Sequence, residues 1–484
     1  MKAISSSRRH PYAARAIILL VTAALISGMT GCIGTPAVEI RDWYDLDAVR
    51  NNLDGSYILM NDLDSSTPGY EELASPTANQ GKGWQPIAGF VPSYGFTGFG
   101  GTFDGQGYEI RDLYINRTDT DENPVGLFCA VDEGGLIENI GVTNATVNGF
   151  LSIGSLVGEN GGIVSNCYAT GNISGRAWVG GLVGLNTDIV AVCYSSSSVT
   201  GRVDVGGLVG GLGITSISYG TVSVSYATGS VSGLLNVGGL VGRNGGTVSN
   251  CYTTGNITGD EDIGGLVGRN HWQGDWVSVS NSHSTGNVNG DEHIGGLVGR
   301  NYYCTVVNSH SISSVSGNSS VGGLVGWNDG AVSNCYATGD VIGDQRIGGL
   351  VGDNTFGTVS DSYSTGDVTG DERVGGLVGQ AFYSTVRDCY STGSVIGNLS
   401  VGGLVGVWNP DYCTVSNSFW DIETSGQATS DGGTGKTTSE MKNITTFSGA
   451  TWDITTVANP GTRNPAYIWN IVDDETYPFL SWQP

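Results

Sequence analysis

The stretch Val237-Gly238-Gly239-Leu240-Val241-Gly242 decides the fold, because close copies of it recur along the chain at near-constant spacing. It is followed by Thr247–Gly255 (TVSNCYTTG) and then by Asn256–Gly259 (NITG). Each unit thus offers three short β-prone runs separated by Gly, Asn and Asp. None of these runs is long enough for a helix, and none shows a 3.6-residue apolar period. The unit is therefore predicted to consist of short strands and tight turns.

Ten copies of [VI]-G-[GS]-L-V-G follow one another at intervals of 26 to 32 residues, after a degenerate copy at Val125-Gly126-Leu127-Phe128. They begin at Ile153, Val179, Val205, Val237, Ile263, Ile294, Val321, Ile347, Val374 and Val401. One unit cannot bury an apolar face alone, whereas stacked units pair their backbones and build a continuous core. We therefore predict an all-β fold, a parallel β-helix or β-solenoid with coils of about 26 residues. Its path is expected to be right-handed, as parallel crossovers are.

Reading one position in every unit gives columns that support stacking. One column holds only Cys or Ser, so it requires a small side chain rather than sulfur chemistry: Cys167, Cys193, Ser225, Cys251, Ser282, Ser309, Cys335, Ser362, Cys389 and Ser418. The next column holds rings: Tyr168, Tyr194, Tyr226, Tyr252, His283, His310, Tyr336, Tyr363, Tyr390 and Phe419. Because adjacent strand residues face opposite ways, one column is expected inside and the other outside. A third column is expected to form a ladder of stacked amides: Asn160, Asn186, Asn244, Asn270, Asn301, Asn328 and Asn354.

The repeat resembles the GLUG motif, which occurs in bacterial and archaeal surface proteins, including some adhesins and immunoglobulin A peptidases. The resemblance covers about Val125 to Phe419. Residues before it resemble the opening coils of pectin-lyase-like β-helices, with a short helix expected around Asp42–Asn52 to cap the first coil. The closing WNIVDDETYPFLSW resembles the end of many GLUG-containing chains. The resemblance implies surface display, but no single activity.

The chain is predicted to have four parts. Residues 1–31 form a signal peptide, 32–122 an N-terminal cap with the first coils, 123–418 the repeat solenoid, and 419–484 a C-terminal capping segment. The signal combines a basic start with the apolar run AIILLVTAALISGM, which is short for a membrane span. Thr30-Gly31 before Cys32 resembles the lipobox of bacterial lipoproteins, with Met29 where that motif usually has Leu. This implies a lipid on Cys32; the alternative is ordinary cleavage with Cys32 incidental.

The net charge of the chain limits the classes of partner that it can bind. The formal net charge is −25, and Lys occurs only at Lys2, Lys82, Lys436 and Lys442. Such a surface repels nucleic acid and anionic lipid headgroups, so we expect no nucleic-acid partner and membrane contact only through the lipid anchor. The expected location is the cell envelope or cell surface, and acidity alone also serves solubility.

Catalytic motifs are missing from the sequence. It contains no HExxH, no G-x-S-x-G and no phosphate-binding G-x-x-x-x-G-K-[ST], and only five histidines. We expect a non-enzymatic role in adhesion or in binding surface glycans or proteins of host or neighbouring cells. The alternatives are a passive spacer and a polysaccharide-active β-helix enzyme, whose acids and bases would lie on one face of the coils.

Rings gather in the turn after each Leu-Val-Gly, from the fifth copy on. Early copies have small residues there, such as Asn160-Gly161-Gly162. The candidate ligand-binding rings are Trp272, Trp276, Tyr302, Tyr303, Trp327, Phe356, Tyr383, Trp408 and Tyr412, with His271 and Phe382 beside them. Stacking would align them along one edge, and repeat proteins often carry insertions on the binding face. They suit sugar rings or a protein contact, or else they fold down and seal the core.

Acidic residues gather in the turn before each Gly-Gly-Leu. The candidate metal ligands are Asp260, Glu261, Asp262, Asp291 and Glu292, and the metal they would suit is Ca²⁺. No other cofactor is expected. The alternative is a solvated Gly-Asx turn.

Two pairs of neighbours have simple structural explanations. Cys167 and Cys193 are expected on adjacent coils with their side chains side by side, as buried thiols rather than a disulfide or a zinc site. His283 and His310 are expected to stack as rings rather than bind a metal.

Overall fold

The computed structural model describes residues 36–91, 95–213, 220–271 and 277–483. It confirms the predicted fold class: parallel strands stack into a β-solenoid of about ten turns. A representative coil has five short strands, namely Thr247–Ser249, Tyr252–Thr253, Ile257–Thr258, Glu261–Gly264 and Val267–His271. The three runs expected from the sequence become five because left-handed residues and Gly bend the chain within two of them.

Equivalent strands of successive coils pair in register and form five ladders, numbered in the order in which one coil meets them. Ladder one contains Val38–Ile40, Ser56–Leu59, Thr102–Asp104, Leu136–Glu138, Ile163–Ser165, Ile189–Ala191, Thr221–Ser223, Thr247–Ser249, Ser278–Ser280, Thr305–Val307, Ala331–Ser333, Thr358–Ser360, Thr385–Arg387 and Thr414–Ser416. Ladder two contains Glu109–Arg111, Gly141–Gly149, Tyr168–Ser174, Tyr194–Ser195, Tyr226–Ala227, Tyr252–Thr253, His283–Ser284, His310–Ser311, Tyr336–Ala337, Tyr363–Ser364, Tyr390–Ser391, Phe419–Asp421 and Thr434–Lys436. Ladder three shares Gly141–Gly149 and Tyr168–Ser174 with ladder two and adds Tyr114–Arg117, Ser198–Thr200, Val231–Ser232, Ile257–Thr258, Val288–Asn289, Val315–Ser316, Val341–Ile342, Val368–Thr369 and Val395–Ile396.

The last two ladders position the candidate site. Ladder four contains Leu151–Ile153, Ala177–Gly180, Val203–Gly206, Leu235–Gly238, Glu261–Gly264, Glu292–Gly295, Ser319–Gly322, Gln345–Gly348, Glu372–Gly375 and Leu399–Gly402. Ladder five contains Phe128–Val131, Val157–Asn160, Val183–Asn186, Val209–Leu212, Val241–Asn244, Val267–His271, Val298–Tyr302, Val325–Asn328, Val351–Thr355, Val378–Phe382 and Val405–Trp408. The degenerate copy is part of the stack, because Val125 bridges Ile153 and Phe128 pairs with Val157.

Ladders four and five lie backbone against backbone, which explains the glycines of the repeat. A Cβ on Gly268 would lie 2.5 Å from the backbone nitrogen of Val237 in the preceding coil. No side chain fits that gap, so the second residue of every ladder-five strand from Val157–Asn160 onward is Gly. The Val, Ile and Leu residues on either side point inward, and Val267, Leu266 and Ile263 are fully buried in the continuous core.

The Cys and Ser column is buried and owes its composition to hydrogen bonding. The Sγ of Cys193 accepts from the backbone N–H of Cys167 at 3.4 Å, and the Oγ of Ser225 accepts from the N–H of Cys193 at 3.1 Å. Each side chain also donates to a carbonyl two residues earlier in its own coil. Ser and Cys therefore replace each other because both can make these two bonds. All eight cysteines among the described residues are buried and unbridged.

The ring column faces outward, and its rings stack from coil to coil. Tyr168 and Tyr194 have centroids 4.9 Å apart with planes 1° apart, and His283 and His310 stack at 4.9 Å and 6°. Tyr336 follows His310 at 4.6 Å, so the two histidines are members of the stack. Burial, and then the neighbouring His283, lowers the pKa of His310 to about 4.

The C-terminal segment extends the stack and then turns back along its side. Thr434–Lys436 pairs with Phe419–Asp421 as one more ladder-two strand. Short helices at Ile422–Ser425, Thr438–Met441 and Ile444–Ser448, and a small sheet of Ile454–Thr456, Trp469–Ile471 and Phe479–Leu480, complete the segment. They cover the last four rings of the column with a second apolar cluster that includes Trp452, Trp469 and Trp482.

The N-terminal part contains the expected short helix. It begins after the N-cap Asp42 and runs over Trp43–Ala48, continuing as a 3₁₀ turn at Val49–Asn51. Its Trp43 packs on Trp84 inside the same core as the coils. Tyr70–Leu73 and Ala78–Gly81 are further short helices, and Gly89–Val91 pairs with Gly95–Thr97 as an antiparallel hairpin. Within the described ranges no helix is long and apolar enough to cross a membrane.

Candidate functional site

The turn after ladder five presents rings because of strand alternation and an unusual backbone. In the coil of Val298–Tyr302, Asn301 points inward and is fully buried, so Tyr302 points outward. The next residue, Tyr303, has φ 53°, in the left-handed region that favours Gly or Asn. Phe356 and Tyr383 occupy the same turn with φ 60° and 49°. Three bulky side chains thus keep a strained conformation in a turn that holds Gly-Gly in early coils.

Five rings of this turn are exposed: Tyr303 (54%), Phe356 (58%), Phe382 (39%), Tyr383 (43%) and Tyr412 (54%). We call these five residues the aromatic edge. In the last three coils they form a continuous strip, with Phe356 and Tyr383 centroids 5.5 Å apart and Tyr383 and Tyr412 centroids 4.6 Å apart. These rings do not fold down over the core. The alternative that the rings seal the core therefore does not hold for these five residues.

The other described rings of the predicted set, Tyr302, Trp327 and Trp408, are half-buried. The Nε1 of Trp327 donates to Oδ1 of Asp329 at 2.8 Å, and the Arg300 guanidinium lies 4.2 Å from the Trp327 ring centre. Tyr302 meets Tyr303 edge-on at 4.7 Å. Tyr302 thus supports an exposed ring, whereas Trp327 is held against the coil by Asp329 and Arg300.

A cleft of about 370 Å³ opens beside the aromatic edge in the last coils. It is lined by Arg373, Gln380, Ala381, Phe382, Val407, Trp408 and Asn409. Arg373 donates from Nη1 to Oε1 of Gln380 at 3.0 Å, which orients both side chains over the cleft. Rings beside a fixed guanidinium and amide combine apolar contact with directed hydrogen bonds, as polar ligands require.

Three predicted site residues, Cys32, Trp272 and Trp276, lie outside the described residues. The extra residues of the third and fifth units also fall partly there, at 214–219 and 272–276. Lipidation at Cys32 and ligand contact by the two tryptophans stay predictions.

The acidic residues in the turn before each Gly-Gly-Leu include both exposed and buried side chains. Asp260, Glu261, Asp291 and Glu292 are exposed, and Glu261 lies in register with Glu292. Further along the column, Nδ2 of Asn318 donates to Oδ1 of Asp291 at 3.0 Å, a side-chain hydrogen bond between neighbouring coils.

Asp262 is different, because it is fully buried beneath this turn. Its Oδ1 lies 2.8 Å from Nδ1 of His293 on the next coil, and its Oδ2 lies 3.7 Å from Arg269. The ligand atoms of Glu261, Asp262 and His293 lie within 4.8 Å of one another. The adjacent guanidinium opposes a divalent cation at this cluster, and a calcium site at the turn stays a prediction.

One functional feature was missed from the sequence: the column of Arg243, Arg269 and Arg300 on the outer face of ladder five. We call these three residues the arginine face. They pair in register on three consecutive coils, and Tyr302 lies 5.8 and 5.4 Å from the last two guanidiniums. The signal was present, because Arg follows Leu-Val-Gly in three copies. That signal is weak, because Arg at an outward-facing strand position is ordinary surface chemistry.

With the fold and site described, the repeat can be compared with known proteins. Five segments of the chain match the GLUG motif. They are residues 151–174, 233–258, 317–342, 343–369 and 370–396, and each segment includes strands of all five ladders. The GLUG segments thus coincide with the coils whose glycines, rings and small residues build the stack.

Two curated proteins are similar over a part of the chain. Halomucin of Haloquadratum walsbyi is 36% identical over 143 residues, which is 28% of this chain and 2% of halomucin. A candidate Gly-rich membrane protein of Evansella cellulosilytica is 35% identical over 124 residues, 25% of this chain and 13% of that protein. The chain therefore spans only a small share of each of these relatives.

One solved structure also matches, a candidate immunoglobulin A1 protease from Bacteroides ovatus. It is 20% identical, with a TM-score of 0.39, over 58% of this chain and 78% of that one.

Proposed function

We propose that this protein is a non-enzymatic, cell-surface β-solenoid that binds carbohydrate or protein through its aromatic edge and is held to the membrane by a lipid on Cys32. The observation that carries the proposal is the row of exposed rings, three of them at positive φ. Exposed apolar rings in a strained backbone oppose both solubility and stability, so a ligand contact is the best physical reason for keeping them.

The surface location has separate support. One partial relative is described as a membrane protein and another as a halomucin, and the N-terminal sequence has the form of an export signal. A rod of stacked coils with one ring-lined edge suits display, because many coils contribute to one extended surface. Two acyl chains on Cys32 would hold such a rod stably at a membrane.

The binding role is tested by removing three rings of the aromatic edge at once. We expect the triple variant Tyr303→Ala, Tyr383→Ala, Tyr412→Ala to lose attachment to cells and to glycan arrays. Its unfolding free energy should change by only about 0.5 kcal/mol per site, as for other exposed positions. Rings that sealed the core would instead lose about 3 kcal/mol each.

A matched control removes two exposed tyrosines elsewhere, Tyr44 (50% exposed) and Tyr467 (39% exposed). Tyr44→Ala with Tyr467→Ala should leave attachment unchanged. Unchanged attachment in the triple variant would contradict the proposal and favour a passive spacer, whereas product formation from a polysaccharide would favour an enzyme.

The anchor is tested independently. Cys32→Ser, expressed in a bacterium that processes lipoproteins, should move from the membrane fraction to the soluble fraction. A variant that stays as membrane-bound as the parent would show that Cys32 is not the anchor.

A further inference from the structure

The arginine face places three positive charges in register, and the nearby carboxylates of Asp204, Asp262 and Asp329 make no hydrogen bond to them among the described residues. Arg243 pairs with Arg269, and Arg269 with Arg300, along ladder five. Like charges directly opposite each other in a sheet are destabilising. In a chain with 45 acidic and 20 basic residues, such a column is the local exception. An acidic ligand that accepts hydrogen bonds directly from the guanidiniums would reduce the repulsion between them.

The guanidinium donors of this face are unused within the described part of the chain. Arg243 has no ion pair there, while Arg269 lies 3.7 Å from Asp262 and Arg300 lies 3.8 Å from Asp329. Both distances are too long for hydrogen bonds. The Nε atoms of Arg269 and Arg300 are buried and have no hydrogen-bond partner among the described residues. Buried donors left unpaired are costly, and the partly exposed Nη groups of the same two side chains have no hydrogen-bond partner among the described residues either, so an acceptor from outside can reach them.

Two histidines beside the arginine face also have a ring nitrogen without a hydrogen-bond partner among the described residues. His293 is 4% exposed, and its Nε2 has no hydrogen-bond partner in the described ranges. The Nδ1 of His271 also has none. Burial, and then the charges of Arg243, Arg269 and Arg300, lowers the pKa of His271 to about 4. All three guanidiniums of the arginine face thus act on His271.

Rings lie directly beside the charges. The Tyr302 ring is within reach of the guanidiniums of Arg269 and Arg300, and the Trp327 ring lies 4.2 Å from that of Arg300 as well. A planar guanidinium binds carboxylate or sulfate with two donors, and a neighbouring ring offers a flat apolar face. Together these groups match a sugar that carries an acidic group.

The acids nearby limit the ligand further. Asp262 and Asp329 border the column, and the exposed Glu261 and Glu292 lie on the neighbouring ladder. With the net charge of −25, they repel a uniformly charged polymer such as nucleic acid. They repel less strongly a polysaccharide whose acidic groups are spaced apart, so that each group binds one arginine.

We propose that the arginine face binds an acidic glycan, a polysaccharide segment whose carboxylate or sulfate groups accept hydrogen bonds from Arg243, Arg269 and Arg300 while a sugar ring lies against Tyr302. This inference rests on the proposed binding function and specifies its ligand class. The glycan runs along the rod, across three consecutive coils.

The test measures binding of the full chain to four probes: polygalacturonate for carboxylate, dextran sulfate for sulfate, neutral dextran, and single-stranded DNA. We expect binding to at least one acidic glycan, weakened by added salt. The double variant Arg243→Gln, Arg269→Gln should bind it at least about tenfold more weakly, because two charge-assisted hydrogen-bond groups are lost.

The matched control is Arg387→Gln, which removes one exposed guanidinium from ladder one. It should bind within about twofold of the parent. If the double variant melts at a lower temperature, the single variant Arg243→Gln decides, because Arg243 makes no ion pair among the described residues and its loss leaves the fold intact.

The outcomes separate this inference from the proposed function. Equal binding of parent and double variant, or binding of DNA as tight as that of either acidic glycan, overturns the inference. Binding of cells or neutral dextran that depends on Tyr303 and Tyr383 but not on the arginines overturns it too, while the proposed function stands. No binding of cells or of any probe overturns both.

Discussion

The side chain of Asn160 donates from Nδ2 to Oδ1 of Asn186 at 2.6 Å, one coil further along the chain. The same bond joins Asn244 to Asn270, and a run of such bonds continues to Asn354 at 2.8 to 3.1 Å. These amides are fully buried, so they form the ladder predicted from the sequence. The run is interrupted at Leu212, where Asn186 donates to the carbonyl of Thr221 instead.

We expect Asn301→Ala to lower the free energy of unfolding by about 2 kcal/mol, because it removes one hydrogen bond from each of the buried amides of Asn270 and Asn328. Denaturant titration measures the change. The control is Asn289→Ala, an exposed amide on ladder three that bonds Ser316, which should change stability by about 0.5 kcal/mol or less. Equal effects of the two substitutions would contradict a structural role for the buried ladder.

Val192→Asn and Val224→Asn should each stabilise the protein by about 1 kcal/mol. Both valines are exposed and have φ near 55°, while most coils have Asn or Asp at this position. A β-branched residue is strained in that conformation, whereas Asn tolerates it. The control Val192→Thr keeps the branched Cβ and should gain nothing. Thermal melts that rise equally for Thr and Asn would show that polarity, and not backbone strain, is responsible.

The buried thiols should be inert in the folded protein. Burial raises the pKa of Cys251 and of Cys335 to about 12, so almost no thiolate forms near neutral pH. In a Cys32→Ser background, a thiol reagent should modify none of the eight remaining cysteines before unfolding and all eight in denaturant. Rapid modification of the native protein would mean that the coils open easily.

The hydrogen bonds of the Cys and Ser column predict which substitutions are tolerated there. Cys251→Ser should change stability by less than about 1 kcal/mol, because Ser makes the same two hydrogen bonds in neighbouring coils. Cys251→Val should be worse, since it loses both bonds and adds a methyl group to a packed core. Denaturation midpoints of the two variants decide, and a Val variant as stable as the Ser variant would contradict the hydrogen-bond explanation.

Stability should fall as pH is lowered from about 6.5 to about 4, partly because of His310. Its pKa is about 4 in the folded protein and near 6.5 when unfolded, so only the unfolded chain gains a proton in this window. His310→Tyr puts in place the residue that most coils have in this column. It should shrink the difference in melting temperature between pH 7 and pH 4.5. An unchanged difference would mean that His310 is solvated.

Local features of the repeat could be predicted from the sequence, whereas features that depend on the path of the chain could not. The stacking of His283 on His310 and the buried Cys column follow from one unit repeated in register. The contact between Asp262 and Arg269 depends on how sharply the chain bends at Gly265 between two ladders. The covering of Tyr363 by Trp469 depends on a segment outside the repeat, since the tyrosines read alike in every copy.

The C-terminal segment touches only the last coils, from His310 and Tyr336 through Phe419. The strands of residues 179–204 pair with the coils before and after them. The repeats that start at Val179 and at Val205 each begin 26 residues after the preceding one. Unequal crossing-over between such units would add or remove a whole coil and join Val and Gly positions in frame and in register. The length of the rod can thus change by whole coils while its two ends stay the same.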